Sequence, residues 1–231
     1  MPRILVFDVN ETLLDLTALE PHFARAFGDR NILREWFNQV IQYAEALTLA
    51  GDYRNFGEIA RAALEMTADA YGVPLSAEDA QAIIGGIRNL PAHSEAAASL
   101  SRLKDAGFRM VTLTNSPPAI VDAQMKQTNL DQYFERNFSV DAVQKYKPAP
   151  EPYRMVASEL GVETRQLRMI AAHAWDVGGA MRAGCAAAFV SRPGKALFPL
   201  FSRPDITGRD LNEVSLAILQ AESTAGLPTT D

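Results

Sequence analysis

Apolar residues fill positions 4–7 without a break, the pattern of a short strand buried on both faces. Beyond residue 15 the pattern changes. Residues 16–28, 30–49, 55–71 and 76–87 each read as a helix, and no alternating strand pattern appears between 15 and 92. Ser76-Ala77-Glu78-Asp79 offers an N-cap serine with acids in the first turn. Gly72-Val73-Pro74 stops the helix before it. A helical block inserted after the first strand is therefore expected.

From Pro91 onward strands and helices alternate. Residues 94–106 predict a helix closed by Gly107, 108–113 a strand, and Pro117-Pro118 the start of a helix to about residue 128. Then come a strand at 138–140, a helix at 152–160 ended by Gly161, a strand at 167–172, a helix at 176–183 and a strand at 186–190. Residues 205–207 read as a last edge strand and 211–220 as a final helix; the tail from Glu222 is expected to be disordered. Strands separated by helices imply an α/β fold with a Rossmann-like parallel sheet covered on both faces. The expected division is a core of residues 1–14 and 93–222, a helical cap at 15–92 and a flexible tail at 223–231.

Composition narrows the function classes. The 231 residues are 48% hydrophobic and 22% charged, with net charge -6. No clustered Lys and Arg suggest a nucleic-acid partner, and no apolar run of about 18 residues suggests a membrane span. The chain enters its first strand with no leader pattern, so the cytoplasm is the expected location. The one cysteine, Cys185, has apolar neighbours and reads as a buried structural thiol. His22, His93 and His173 lack ligand spacing, so no metal or cofactor is expected.

Polar groups recur where strands end: Asp8, Thr114-Asn115-Ser116, Lys147, and His173 with Asp176. In a parallel sheet those ends converge on one crevice. Asp8 is either a carboxylate nucleophile or a loop cap. Thr12 either hydrogen-bonds that carboxylate or caps the next turn. Asn115 and Ser116 are neutral donors or turn formers. Lys147, opposite Asp8, would orient the nucleophile and neutralise charge. Its neighbours Lys145 and Tyr146 read as surface or packing groups. His173 and Asp176 can both face a pocket from a strand-to-helix turn, or act as a solvent-facing ring and a helix cap.

With these residues placed, the chain resembles the haloacid dehalogenase superfamily, and within it the type II 2-haloacid dehalogenases. Asp8-Val9-Asn10-Glu11-Thr12-Leu13-Leu14-Asp15 matches the nucleophile loop, Thr114-Asn115-Ser116 the Ser-Asn-Gly segment, Tyr146-Lys147-Pro148 with Tyr153 the lysine segment, and Ala172-His173-Ala174-Trp175-Asp176 the last motif. The resemblance implies that Asp8 displaces halide from a small 2-haloacid to form an aspartyl ester. Water activated by Asp176, or by His173 as a variant base, then hydrolyses it. Thr12 and Lys147 would hold Asp8. Asn10, Phe37, Thr114, Asn115, Ser116, Tyr153 and Trp175 would line the substrate and halide site. Phosphatases of the superfamily carry a second aspartate at position 10 and usually one at position 172; here Asn10 and Ala172 stand there. A poor magnesium site follows, together with a leaving group that needs no proton. The family's halide-binding arginine follows a tryptophan on the second cap helix, but here Phe37 follows Trp36. Phe37, Tyr43 and Leu47 are candidates either for lining the pocket under the cap or for the core of the helical bundle, and the resemblance implies a homodimer. The alternatives are a phosphatase or phosphonate hydrolase, and a binding member of the family with little activity.

Overall fold

The computed structural model describes residues 2–224. Six parallel strands form one sheet in the order β3-β2-β1-β4-β5-β6: β1 (Ile4–Phe7), β2 (Met110–Thr114), β3 (Arg136–Ser139), β4 (Leu167–Ala171), β5 (Ala186–Val190) and β6 (Ile206–Gly208). The central strands β1, β2 and β4 are buried along their whole length, which explains the unbroken apolar sequence of β1, while β2 and β4 also bury Thr112, Thr114 and Arg168. Helices α5 (Ala96–Asp105), α6 (Pro118–Gln127), α7 (Pro150–Glu159), α8 (Ala174–Arg182) and α9 (Leu211–Thr224) flank the sheet. The strand order reverses at β1, the switch point where open α/β sheets leave a crevice. Register sets Phe7 opposite Thr112 on β2 and Ile170 on β4, so β4 runs one residue and β2 two residues past the end of β1 on the same side of the sheet.

Four helices leave the core after β1: α1 (Glu20–Phe27), α2 (Ile32–Ala50), α3 (Phe56–Tyr71) and α4 (Ala77–Gly86). Ser76 caps α4 as its sequence predicts, accepting from the Asp79 N–H. Asn55 and Glu58 form a reciprocal capping box on α3. Trp36 on α2 is fully buried and donates from Nε1 to the Ala60 carbonyl at 2.9 Å, locking α2 to α3. The chain leaves and re-enters the core side by side. The Asp15 N–H donates to the Pro91 carbonyl at 2.8 Å, and the His93 N–H to Leu13 at 2.9 Å. These helices cap the carboxyl edge of the sheet. Lys145 and Tyr146 tie them down: Lys145 Nζ and the Tyr146 N–H reach Thr48, and the Tyr146 hydroxyl reaches the Arg54 carbonyl at 2.5 Å. Tyr146 is thus a buried packing group, stacked on Tyr53.

The C-terminal expectation is corrected. The last helix runs to Thr224, four residues past the predicted end at 220. Glu222 belongs to the fold, because its buried carboxylate pairs with Arg3 at 2.9 Å and Arg168 at 3.0 Å. Arg168 is itself buried on β4 and forks onto Asp205 just before β6. A guanidinium buried there needs carboxylates close by, and that need extends the helix. Residues 225–231, which the predicted flexible tail also included, lie outside the described residues.

Candidate active site

Asp8 follows β1 directly, and its N–H donates to the Ile170 carbonyl of β4 at 3.0 Å. The next residues fold back tightly, with the Leu13 and Leu14 N–H groups both donating to the Val9 carbonyl. That turn brings Thr12 under the Asp8 side chain. The Thr12 hydroxyl donates to Asp8 Oδ2 at 2.6 Å and accepts from the Ala172 N–H at 2.9 Å. Thr12 therefore stitches the loop after β1 to the end of β4 rather than capping a turn.

Lys147 is completely buried, and its ammonium uses all three of its donors. They reach Asp8 Oδ1 at 2.8 Å, Asp176 Oδ2 at 2.6 Å and the Leu113 carbonyl at 3.0 Å. Burial alone would discharge this lysine, but Asp176 and Asp8 outweigh it and hold its pKa above the usual value. Asp176 lies in the first turn of α8 and makes no capping bond. Its Oδ1 accepts from the Tyr153 hydroxyl at 2.7 Å. Burial and the nearby Asp8 charge raise its pKa against the pull of Lys147. Asp8 is displaced the other way: burial would raise it, but Lys147 and His173 hold it well below the ordinary carboxylate range. Asp8 is thus a desolvated carboxylate kept charged.

Close approach at this site depends on one glycine. A Cβ at Gly179 on α8 would lie 2.5 Å from Pro148 Cβ and 2.8 Å from the Pro148 carbonyl. Only glycine lets α8 sit against the segment that carries Lys147.

His173 approaches Asp8 from the other side. Its Nδ1 lies 3.1 Å from Asp8 Oδ2 and its Nε2 lies 2.7 Å from Glu11 Oε2. Trp175 stacks on the imidazole at 4.9 Å, and Phe37 of α2 faces it at 6.4 Å between ring centroids. Asn115 joins through its side-chain carbonyl, which accepts from the Lys147 N–H at 3.2 Å.

Three expected residues form a second group that makes no hydrogen bond to Asp8. Asn10 Nδ2 donates to Ser116 Oγ at 3.3 Å, and Gln124 donates to Asn10 Oδ1 at 3.2 Å. Thr114 Oγ1 accepts from the Ser116 N–H at 3.1 Å. These contacts shape the turn after β2 beside the nucleophile. Tyr43 and Leu47 correct another expectation. They line a groove of about 410 Å³ between α2 and α3 that does not include Phe37. On a helix of 3.6 residues per turn they stand about 120° and 80° around α2 from Phe37, and the cleft that Phe37 lines includes neither of them.

Sequence reasoning passed over Glu11, Gln124, Arg192 and Lys195. Lys195 pairs with Glu11 Oε1 at 2.8 Å, and Arg192 donates to the Thr12 carbonyl at 2.7 Å while pairing with Glu95. Glu11 carried a usable signal: it is a charged residue inside the turn that follows Asp8. Glu11, Phe37, Arg34 and Lys195 line a cleft of about 250 Å³ between cap and core. Among the described residues, no three His, Cys, Asp or Glu side chains group so as to hold a metal ion, and no helix is long and apolar enough to cross a membrane.

A parallel sheet with a buried, charged carboxylate at its switch point, roofed by helices, defines the class of capped α/β hydrolases. More specifically, the chain belongs to the haloacid dehalogenase-like hydrolases, whose family model matches residues 2–184. It is 29% identical over 180 residues to (S)-2-haloacid dehalogenase 1 of Pseudomonas sp. (strain CBS-3), which is 77% of this chain and 79% of that one. It is 26% identical over 207 residues to haloacetate dehalogenase H-2 of Moraxella sp. (strain B), covering 88% and 92%. The fold is shared with L-2-haloacid dehalogenase from Xanthobacter autotrophicus, solved with chloropropionic acid covalently bound. That match has a TM-score of 0.87 at 24% identity and covers 95% of this chain and 99% of that one.

Proposed function

We propose that the protein hydrolyses the carbon–halogen bond of a small 2-haloalkanoic acid to the 2-hydroxy acid, through an ester on Asp8 and without a metal. The observation that carries this reading is a buried carboxylate kept ionised by Lys147, Thr12 and His173. No second carboxylate stands at position 10 or 172. Asp8 forms a bond to the carbon bearing the halogen, and the halide departs with the bonding electron pair. Halide leaves as an anion, so the absence of an acid at position 10 costs nothing. Water then adds to Asp8 Cγ and gives a proton to Asp176, whose raised pKa makes it a better base. The bond from Cγ to the alkyl oxygen breaks, and that oxygen takes the proton from Asp176. The second water proton leaves to solvent as Asp8 becomes a carboxylate again. Asn115, Ser116, Thr114, Asn10, Phe37, Tyr153 and Trp175 surround the space for carboxylate and halide, and residues 15–92 form the cap that closes it.

Halide should be released from chloroacetate, 2-chloropropionate or fluoroacetate in the presence of a chelator, as read by an ion-selective electrode. Phosphate release from phosphate esters that requires magnesium, with no halide from any of the acids, would replace this reading with the phosphatase one.

The working form is a homodimer. The apolar groove between α2 and α3, lined by Tyr43, Leu47, Ile59 and Met66, supports this, as does Leu49, which is 89% exposed nearby. Light scattering should give twice the chain mass of 25.2 kDa, and Met66→Arg should halve it. A wild-type mass of one chain rules the dimer out. The buried free thiol of Cys185 suits the reducing cytoplasm.

A further inference from the structure

We propose that Glu11 is a positioning residue that keeps His173 as an imidazolium, and that His173 in this form donates to the Asp8 carbonyl oxygen during ester hydrolysis instead of acting as the base. This deepens the dehalogenase reading and rests on it for the hydrolytic role.

The geometry carries the argument. Both ring nitrogens of His173 lie within hydrogen-bond distance of a carboxylate, Asp8 Oδ2 on one side and Glu11 Oε2 on the other. Carboxylates only accept, and a neutral imidazole has one donor, so serving both requires the doubly protonated ring. Stacking on Trp175 suits the same charge state. Charge balance agrees as well. Asp8, Asp176 and Glu11 are matched by Lys147, Lys195 and a charged His173. Burial works against the charged ring, but Asp8 and Glu11 overcome it and raise His173 to about 9. Glu11 falls to about 2 in return.

Glu11 is held for this task. Its φ of 62° lies in the left-handed region that non-glycine residues seldom occupy. Lys195, from the segment after β5, fixes its second oxygen. The other charged groups around the ring are Asp8 beside it, Lys147 from the segment before α7, and Asp176 on α8. Arg34 on α2 and Arg192 after β5 stand farther out, around Glu11.

The two Asp8 oxygens differ in a way that assigns the donor role. Oδ1 receives Lys147 alone, whereas Oδ2 receives Thr12 at 2.6 Å and His173 at 3.1 Å. With Oδ1 attacking carbon, Oδ2 becomes the ester carbonyl and then the oxyanion when water adds to Cγ. Two donors, one of them charged, already stand where that charge develops. A base must be deprotonated to act and a donor protonated, so the two roles predict opposite pH profiles.

The test uses full-length enzyme. Ring ¹⁵N NMR, with His173 assigned by loss of its signals in His173→Gln, should show both nitrogens protonated at neutral pH and titration near 9. Titration at or below the ordinary value of 6.5 overturns the clamp. Decay of the Asp8 ester, followed by intact mass after rapid quenching, should slow as pH rises through the ring titration of the ester form, which lies below that of the free enzyme because esterified Asp8 carries no charge. Acceleration over the same range makes His173 the base and overturns the donor role. Glu11→Gln should move the ring titration and the alkaline limb down together, by about 1–2 pH units; a limb that stays in place overturns the assignment. Absence of ester with every haloacid overturns the dehalogenase reading and the hydrolytic role with it, while the ring titration still decides the Glu11 clamp.

Discussion

Asp8→Asn should lower halide release by about 10⁴-fold or more, the scale on which loss of a covalent nucleophile is felt. The amide has nearly the shape of the carboxylate but no charge to displace halide. The fold should persist, because Lys147 keeps Asp176 and the Leu113 carbonyl as acceptors. A second readout separates covalent catalysis from direct attack by water. In a single turnover in heavy-oxygen water, wild-type enzyme should take the label into the Asp8 side chain, since the oxygen leaving in the product came from Asp8. Label in the first-turnover product, with none in the peptide containing residue 8, would rule out the ester. Activity that survives Asp8→Asn would remove Asp8 from the chemistry altogether.

Lys147→Met should cost both activity and stability. Two buried carboxylates, Asp8 and Asp176, would lose the cation between them. Removing one partner of a buried ion pair typically costs about 3–5 kcal/mol. Denaturant unfolding should show a loss of that order near neutral pH. The sign of the pH dependence is specific. In the wild type Asp8 has a depressed pKa, so its pairing adds stability above the ordinary value of 3.8 and loses it as pH falls below. His173 acts in the opposite sense: its contribution is complete below 6.5 and fades as pH rises through about 9. Without Lys147 the carboxylates would favour protonation, so the variant should lose less stability in mild acid than at neutral pH. Adding Asp8→Asn to Lys147→Met should recover part of the loss, because one buried charge is removed. Equal stability of Lys147→Met and wild type would show that the triad does not hold the core.

Much of this site is legible along the chain. Asp8 follows an unbroken apolar strand, Asp176 sits in the first turn of the helix after β4, and in a parallel sheet strand ends must meet. Thr12 and Tyr153 are less legible alone, because a hydroxyl near a turn has many local uses. Glu11 escapes notice for a related reason. A glutamate in a loop is normally solvated, and nothing local shows that Lys195 and His173 converge on it from distant segments. Tyr43 and Leu47 fail differently: being apolar on a cap helix does not say which groove a residue faces, and they open onto the one between α2 and α3 rather than the cleft that Phe37 lines. Glu222 looks like tail residue until the buried Arg168 is placed beside it.

Local pattern was enough to define the strands, the inserted helices and the carboxylate at the tip of β1, since burial on both faces dictates apolar runs and chain order dictates which ends adjoin. The charge states of the residues around that carboxylate were decided only in three dimensions. They depend on distances of about 3 Å between groups far apart in the chain, and it is this packing that sets the His173 ring between the carboxylates of Asp8 and Glu11.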